Sequence, residues 1–374
     1  MIIVGASLAG LTLALACAKR GVATRVVERN ARRVHGGDNL SVNLSSIARA
    51  VGRDPRSMPP LPVVHAYRDR HLTSWPALYG WLRDRAGEAD GIALDEDKTL
   101  VAVNADADAV SLSFADGSFA HADLLIGADG YQSTVRRTIS PEHPWASYAG
   151  YVVWRGLVEE SALPSPVNWS NDGGLWIGYQ RGYRLVAAVL PGRDGSLEIG
   201  RRQVTFAWFD TRSDALLRET NCLTNDGYVV GTLGAAAIPV DFREELARLV
   251  PQLWPAVWVE AVLEGLHSPT AMRGAPIAEY KPERLASGPM AIIGDAAHVL
   301  SPMTGSGYAT AVDDAVLLSG LLSRADASDS ASALLAEYER MRLPYIRGLL
   351  DHSRRLSREF MDYAREFPAH TPRF

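Results

Sequence analysis

The sequence predicts an α/β chain built on a parallel sheet, with an inserted β-sheet and helices at its C-terminal end. Three stretches predict it. Residues 4–30, "VGASLAGLTLALACAKRGVATRVVERN", read as strand, glycine turn, helix, strand and a terminal acid, the order of a βαβ unit. Residues 289–322, "PMAIIGDAAHVLSPMTGSGYATAVDDAVLLSGLL", read as a buried strand, an acid, a glycine loop and a long amphipathic helix. Between them lie aromatic-rich runs of strand length, with the alternation of a separate sheet.

A chain of 374 residues can bury a large core, as two domains or one elaborated domain. Its composition is that of a globular protein, 47% hydrophobic and 22% charged, and a net charge of −5 offers no attraction to nucleic acid or an anionic membrane. Cys17 and Cys222 make neither a disulfide framework nor a metal-ligand cluster, which points to a reducing, cytoplasmic compartment. "LALAC" imitates a lipoprotein cleavage site, but its basic residues follow the apolar stretch instead of preceding it, and Gly5 and Gly10 interrupt that stretch. Secretion is therefore disfavoured, and the Asn-x-Ser triplets at Asn39, Asn43 and Asn168 read as chance matches.

"MIIVG" is a buried parallel strand ending in glycine. Leu8 to Arg20 has helical spacing and stops at Lys19-Arg20-Gly21, and "VATRVVE" is the second strand. Gly5 permits the tight turn and Gly10 permits close packing of the helix. Ser7 stands where a dinucleotide fingerprint usually has its middle glycine, which is tolerated if its φ is negative. Glu28 follows at the distance where a carboxylate accepts ribose hydroxyls. A helix–strand pair that merely packs is the plainer alternative. A nucleophile elbow at Ser7 is weak, since only six residues precede it and no oxyanion loop lies upstream.

"RRVHGGDNLSVNLSSIARAVG" reads as a glycine-containing loop entering a helix near Leu44. "MPPLP" is a stiff connector, and "TSWPALYGWLRDRAG" an amphipathic helix with Pro76 near its start. "KTLVAVNAD", "AVSLSFADGS" and "AHADLLIGADG" are three strands, with an Asp116-Gly117 turn between the last two. The last runs into "GADGYQSTVRRTI", placing Asp129 on a glycine-flanked turn at a helix start, where a capping role is the alternative. "YAGYVVWRGLVEE", "GGLWIGYQ", "YRLVAAVLPG" and "RQVTFAWFD" form the separate sheet, covering an apolar pocket. Trp154, Trp176, Tyr179 and Trp208 are its candidate substrate contacts, against the plainer reading that strand aromatics are core. His298 reads as a structural hydrogen-bonding residue. "LLDHSRRLSREFMDYARE" reads as a solvated or subunit-facing helix, compatible with a homodimer.

The fingerprint, "GADGYQSTVRR" and "GDAAHVLSPMTGSG" follow one another as in the class A FAD-dependent aromatic monooxygenases, the para-hydroxybenzoate hydroxylase superfamily, which this sequence resembles. "TSWPALYGWL", "YAGYVVWRGLVEE" and "LPGRDG" are similar to the branch that hydroxylates dihydroxypyridines. One departure is Trp75, where the family commonly has an FAD-clasping arginine. The resemblance implies a Rossmann-like (GR2-type) FAD-binding domain over 1–144 and 286–325, a β-sheet substrate domain over 145–285 and a helical segment over 326–374.

It further implies that Gly5, Ser7, Leu8, Ala9 and Gly10 wrap the FAD pyrophosphate, with Glu28 on the ribose and Arg29 and Val101 at the adenine. Leu40 and Asn43 approach the ribityl chain and ring. Asp129 lies by the pyrophosphate and the nicotinamide route, Asp295 at the ribityl hydroxyls or pyrophosphate, and Pro302, Gly305, Ser306 and Gly307 along the flavin edge. The implied reaction is hydroxylation of an electron-rich hydroxylated aromatic or heteroaromatic ring by O2, with transient NADH or NADPH as reductant and a C4a-hydroperoxide of the flavin as oxidant. No catalytic base is assigned, and no metal is expected. The same scaffold also suits an FAD-dependent dehydrogenase or reductase, or a non-enzymatic binder of flavin or aromatic ligands.

Overall fold

The computed structural model describes residues 1–30, 39–106, 109–325 and 330–368; the glycines expected in a loop before Leu44 lie outside them. Aliphatic residues Ile2–Val4 form β1, buried at every position. The chain turns at Gly5 into α1 (Leu8–Ala18) and returns as β2 (Thr24–Val27), parallel to β1. Then come β3 (Asn39–Asn43), α2 (Leu44–Val51), β4 (Val64–Tyr67), β5 (Arg70–Ser74) and α3 (Trp75–Glu88). Ser74 caps α3 by accepting the Ala77 N–H at 3.3 Å, with proline in the first turn as expected. β6 (Ile92–Asp95) joins β2 in parallel. β7 (Leu100–Ala105), β8 (Val110–Phe114) and β9 (Phe119–Ala122) form an antiparallel meander, followed by β10 (Leu125–Gly127) and α4 (Thr134–Ile139).

The second half begins with β11 (Ser147–Glu159), β12 (Trp176–Gln180), β13 (Tyr183–Leu190) and β14 (Gln203–Asp210). Helices α5 (Asp214–Glu219), α6 (Val240–Leu253) and α7 (Ala256–His267) follow. The chain closes with β15 (Arg273–Glu279), β16 (Ala286–Ser287), β17 (Met290–Ile292), α8 (Gly307–Leu322) and α9 (Ala331–Glu366). The main sheet has the order β16-β17-β10-β1-β2-β6, parallel except at β16. The second sheet is antiparallel, in the order β12-β13-β14-β11-β15. Two smaller sheets, β3-β5-β4 and β7-β8-β9, flank the main one.

Three expectations need correction. The stretch "AHADLLIGADG" is two strands: β9 belongs to the meander and β10 to the parallel sheet, with exposed Asp123 at the crossing. The sheet region also contains three helices. α7, "AVWVEAVLEGLH", hides in the sequence because its valines favour strands, and only packing against the sheet makes it helical. The charged C-terminal segment is more than a solvated face. One stripe of α9 (Leu335, Tyr338, Arg342, Ile346, Leu350, Phe360) is buried along its length.

The largest core joins the main sheet to α1, α3 and α8. A second lies between one face of the antiparallel sheet and α6 and α7. A small third core, built on Tyr151, Val153, Val186, Phe209 and Ile277, occupies the opposite face and receives Phe360 of α9. α9 thereby binds the two halves together. Both cysteines are buried and free, and burial pushes the Cys17 thiol up to about 12, which leaves it inert. No helix among the described residues is long and apolar enough to cross a membrane.

Candidate functional site

Because β2, β1, β10 and β17 run parallel in register, the segments that follow them emerge at one edge of the sheet. That edge gathers the Gly5–Gly10 turn, Glu28, Asp129 and Asp295, as expected for a ligand crevice at the carboxyl ends of parallel strands. Gly5 has φ +102°, and a Cβ there would lie 2.5 Å from the Ala128 carbonyl oxygen. A Cβ on Gly10 would lie 1.9 Å from the Gly5 oxygen, so the helix rests directly on its own turn. Ser7 adopts φ −92°, the negative value that lets serine replace glycine. Its side chain does not cap α1, whose first intrahelical bond runs from the Leu11 N–H to the Ser7 oxygen. The N–H groups of Leu8, Ala9 and Gly10 therefore have no partner within the helix.

Glu28 is buried at the end of β2, and its two oxygens accept the Ala6 N–H at 2.8 Å and the Asn30 N–H at 3.1 Å. These bonds aim the carboxylate across the turn while each oxygen keeps further acceptor capacity. Arg29, next in the chain, is exposed. Val101 is also exposed and sits in a bulge of β7, where the pairing register with β8 slips. A bulged residue keeps its backbone groups out of the ladder.

α8 begins beside α1. The Thr12 hydroxyl, one turn into α1, and the Tyr308 hydroxyl, in the first turn of α8, are 3.1 Å apart. Ser306 caps α8 without a side-chain bond, its hydroxyl donating instead to the Thr304 oxygen at 3.0 Å. Gly305, at φ +57°, closes the turn Pro302–Thr304 in the left-handed region, and the space around the Gly307 Cα is open. Two helix N-termini thus present N–H groups without a partner among the described residues, and positive dipole ends, at the same edge. Asp314 fixes α8 from behind. It accepts from His298 Nε2 at 2.7 Å, Arg342 Nε at 2.8 Å and the Gly294 N–H at 3.1 Å. Burial alone would raise its carboxyl, but His298 and Arg342 hold it below the usual range. His298 is accordingly a structural partner here.

The remaining expected cofactor residues divide. Asp295 is exposed at the edge, and Leu40 is half-buried on β3. Asp129 spends its carboxylate on the start of α4, accepting from the Ser133 hydroxyl at 2.5 Å and the Thr134 N–H at 2.7 Å. Asn43 caps α2 by accepting the Ser46 N–H at 2.8 Å. Trp75 stacks on Tyr79 with ring centroids 4.8 Å apart, so it packs where an arginine would pair.

The aromatic candidates of the antiparallel sheet need a larger correction. Trp154 and Trp208 are 0% exposed and face α6 and α7: Trp154 meets Phe242, while Trp208 meets Tyr183 and Trp254. Trp176 meets Trp254 on that same face. Of the four, only Tyr179 points the other way, against Tyr363 of α9. The face toward the Pro302–Gly305 turn carries Tyr151, Val153, Val186, Phe209 and Ile277, and Met303 packs onto them. Tyr151 binds this face to its surroundings, with its hydroxyl 2.8 Å from Ser301 Oγ and 3.1 Å from Ser357 Oγ. Ser357 in turn donates to Glu279 at 2.7 Å. Nothing in the sequence separates the two faces, because β13 is buried at all eight positions and shows no polar alternation. Among the described residues no three His, Cys, Asp or Glu side chains are grouped to hold a metal.

Comparison with known proteins identifies the family of the chain. Residues 243–353 match an FAD binding domain family, and residues 148–243 match an FAD binding domain-like family. The chain is 30% identical to the 3-amino-4-hydroxybenzoate 2-monooxygenase of Streptomyces cremeus, over 96% of this chain and 86% of that one. It is 28% identical to the FAD-dependent urate hydroxylase of Klebsiella oxytoca, over 86% of this chain and 69% of that one. Among solved structures, 2,6-dihydroxypyridine-3-hydroxylase from Arthrobacter nicotinovorans superimposes with a TM-score of 0.76 at 22% identity, over 100% of this chain and 93% of the other.

Proposed function

Since the chain belongs to the family of FAD-dependent aromatic monooxygenases, we propose that FAD lies along the carboxyl edge of the parallel sheet and that the inner face of the antiparallel sheet holds the substrate ring. The enzyme is an oxidoreductase that uses NAD(P)H and O2 to hydroxylate a small hydroxylated aromatic compound. Its cofactor is FAD.

One observation carries the placement of FAD: two uncapped helix starts and the Glu28 carboxylate meet at one strand edge. The free N–H groups of Leu8, Ala9 and Gly10 suit a pyrophosphate, and a side chain at Gly10 would fill the space those donors need. Glu28 receives the ribose hydroxyls, while Arg29 and the bulged backbone of Val101 flank the adenine. Leu40, Asn43 and Asp295 serve the ribityl side. Pro302 to Gly307 border the ring, where the start of α8 offers positive charge to a reduced, anionic flavin. When bound, FAD supplies the redox chemistry and oxygen activation. The protein orients the ring, excludes water with the aliphatic face of Val153, Val186 and Ile277, and holds that face by the Tyr151–Ser301 contact. Burial pushes the Tyr151 phenol up to about 12, so it stays protonated as a hydrogen-bonding strut.

The substrate class follows the relatives: a benzoate, pyridine or purine-type ring carrying an ionisable hydroxyl or its tautomer. The test is NAD(P)H oxidation by the FAD-loaded enzyme across such a panel, under ¹⁸O2. Substrate-stimulated oxidation with ¹⁸O in the aromatic product is expected. Oxidation with label only in peroxide or water, for every member, would overturn the hydroxylase assignment.

A further inference from the structure

Five arginines are buried among the described residues, and four of them are neutralised or saturated. Arg85 pairs with Glu88, Arg342 pairs with Asp314, and Arg202 makes two bonds to the Glu160 carboxylate. Arg136 is held by backbone oxygens, among them those of Tyr131, Pro144 and Ala296. Arg184 is the exception. It is only 8% exposed, yet no carboxylate lies within ion-pair distance of it among the described residues, and its polar neighbour is Tyr179, directly opposite it on β12. Its guanidinium lies 4.5 Å from the centroid of the Phe209 ring.

A guanidinium has five N–H donors and cannot shed its charge, so one phenol and one ring face leave it far from satisfied. Burial disfavours its charged form, and no carboxylate among the described residues offsets that. The position adds the second point. Arg184 alternates with Val186 on the face of β13 opposite the tryptophans, and its stacking partner Phe209 belongs to the apolar group that Met303 joins from the turn before α8. An uncompensated cation on that face is arranged for an anion that arrives with the ligand. A planar fork stacked on a ring is also pre-organised for two oxygens in one plane.

We propose that Arg184 is the anion-recognition residue of the aromatic pocket, pairing with an acidic oxygen of the substrate and selecting anionic aromatics over neutral ones. The proposal rests on the monooxygenase reading of that pocket. Two sources supply such an oxygen, a carboxylate substituent or an ionised ring hydroxyl, and two ligand pairs distinguish them. Affinities for the FAD-loaded enzyme are measured by calorimetry with 3-amino-4-hydroxybenzoate against its amide, and with 2,6-dihydroxypyridine against its dimethyl ether.

Wild type is expected to prefer the acidic member of at least one pair by about 10- to 100-fold, the range of a charge-assisted bond in a partly dry site. In Arg184→Met that preference should collapse toward unity, and Arg184→Lys should restore part of it. FAD content and melting temperature report whether each variant is folded, and Arg184→Gln replaces the methionine variant if that one fails. Equal affinities within both pairs in wild type, or a preference that survives in the neutral variants, overturns the proposal. Turnover is read separately: a charge preference without ¹⁸O incorporation keeps Arg184 and rejects the hydroxylase assignment.

Discussion

The candidate cofactor site of the parallel sheet lies at the ends of its strands, whereas the proposed pocket of the antiparallel sheet lies on one face. At the strand ends, backbone geometry dictates the residues. Gly5 needs a positive φ, Gly10 needs the absence of a Cβ, and Glu28 must close the second strand. On the antiparallel sheet no such demand exists, and Phe209 and Trp208 are adjacent residues with opposite destinations. A ligand site made of backbone donors therefore leaves a motif in the chain, while one made of a sheet face leaves only hydrophobicity.

The sharpest way to break this comparison is at Gly10. Gly10→Val forces a side chain into the Gly5 carbonyl, a backbone collision that no rotamer relieves. Its cost should exceed about 4 kcal/mol, the upper range for single substitutions. Loss of FAD binding, or of soluble folded protein, is the expected result. A variant with wild-type FAD content and melting temperature would mean that the turn is looser than its geometry.

Trp208→Ala tests the other side. If this side chain is core, its loss should cost about 3–5 kcal/mol of stability and leave ligand affinity within a few-fold. Denaturant melts and ligand titration together check this. A large loss of affinity with stability preserved would return Trp208 to the pocket.

Asp314→Asn tests whether the structural charges behind α8 are as firmly held as the turns in front of it. Removing one member of a buried ion network costs about 3–5 kcal/mol at neutral pH. The Asp314 carboxyl is depressed in the folded state. Its contribution is therefore complete above the ordinary aspartate value of about 3.9 and is lost as pH falls through the depressed folded value. Melting curves of the two proteins should converge only in acid. A gap that closes between pH 8 and 6 would contradict this assignment.

Smaller effects sharpen the picture at the strand ends. Glu28→Ala should weaken FAD binding by about 1.5–3 kcal/mol through lost charge-assisted bonds, read by equilibrium titration of the apoprotein. Ser7→Gly should do least. Its φ of −92° is open to any residue and its hydroxyl caps nothing, so turnover should stay within a few-fold and stability within about 1 kcal/mol. Complete inactivity with FAD bound would instead give Ser7 a chemical role.

From the sequence alone, the βαβ unit, Glu28, the Asp295 strand end and the start of α8 at Gly307 are legible, because each is tied to a local backbone requirement at a characteristic spacing. Asp129 is legible as a turn residue with capping as the alternative, and the structure shows its carboxylate capping α4; Asn43 enters only through the family resemblance, and its cap on α2 is a finding of the structure. Of helices α5 to α7, α6 carries helical spacing in Leu246, Val250 and Leu253, whereas the three valines of α7 favour strand locally and its helix is supported by packing against the sheet. The direction of Trp154 and Trp208 away from the Pro302–Gly305 turn, the lack of a carboxylate partner for Arg184 among the described residues and the reach of α9 across both halves were decided by tertiary structure. Those properties depend on which face of a doubly buried sheet receives which partner. Such a choice is made by contacts between residues distant in sequence, and alternation along one strand carries no record of it.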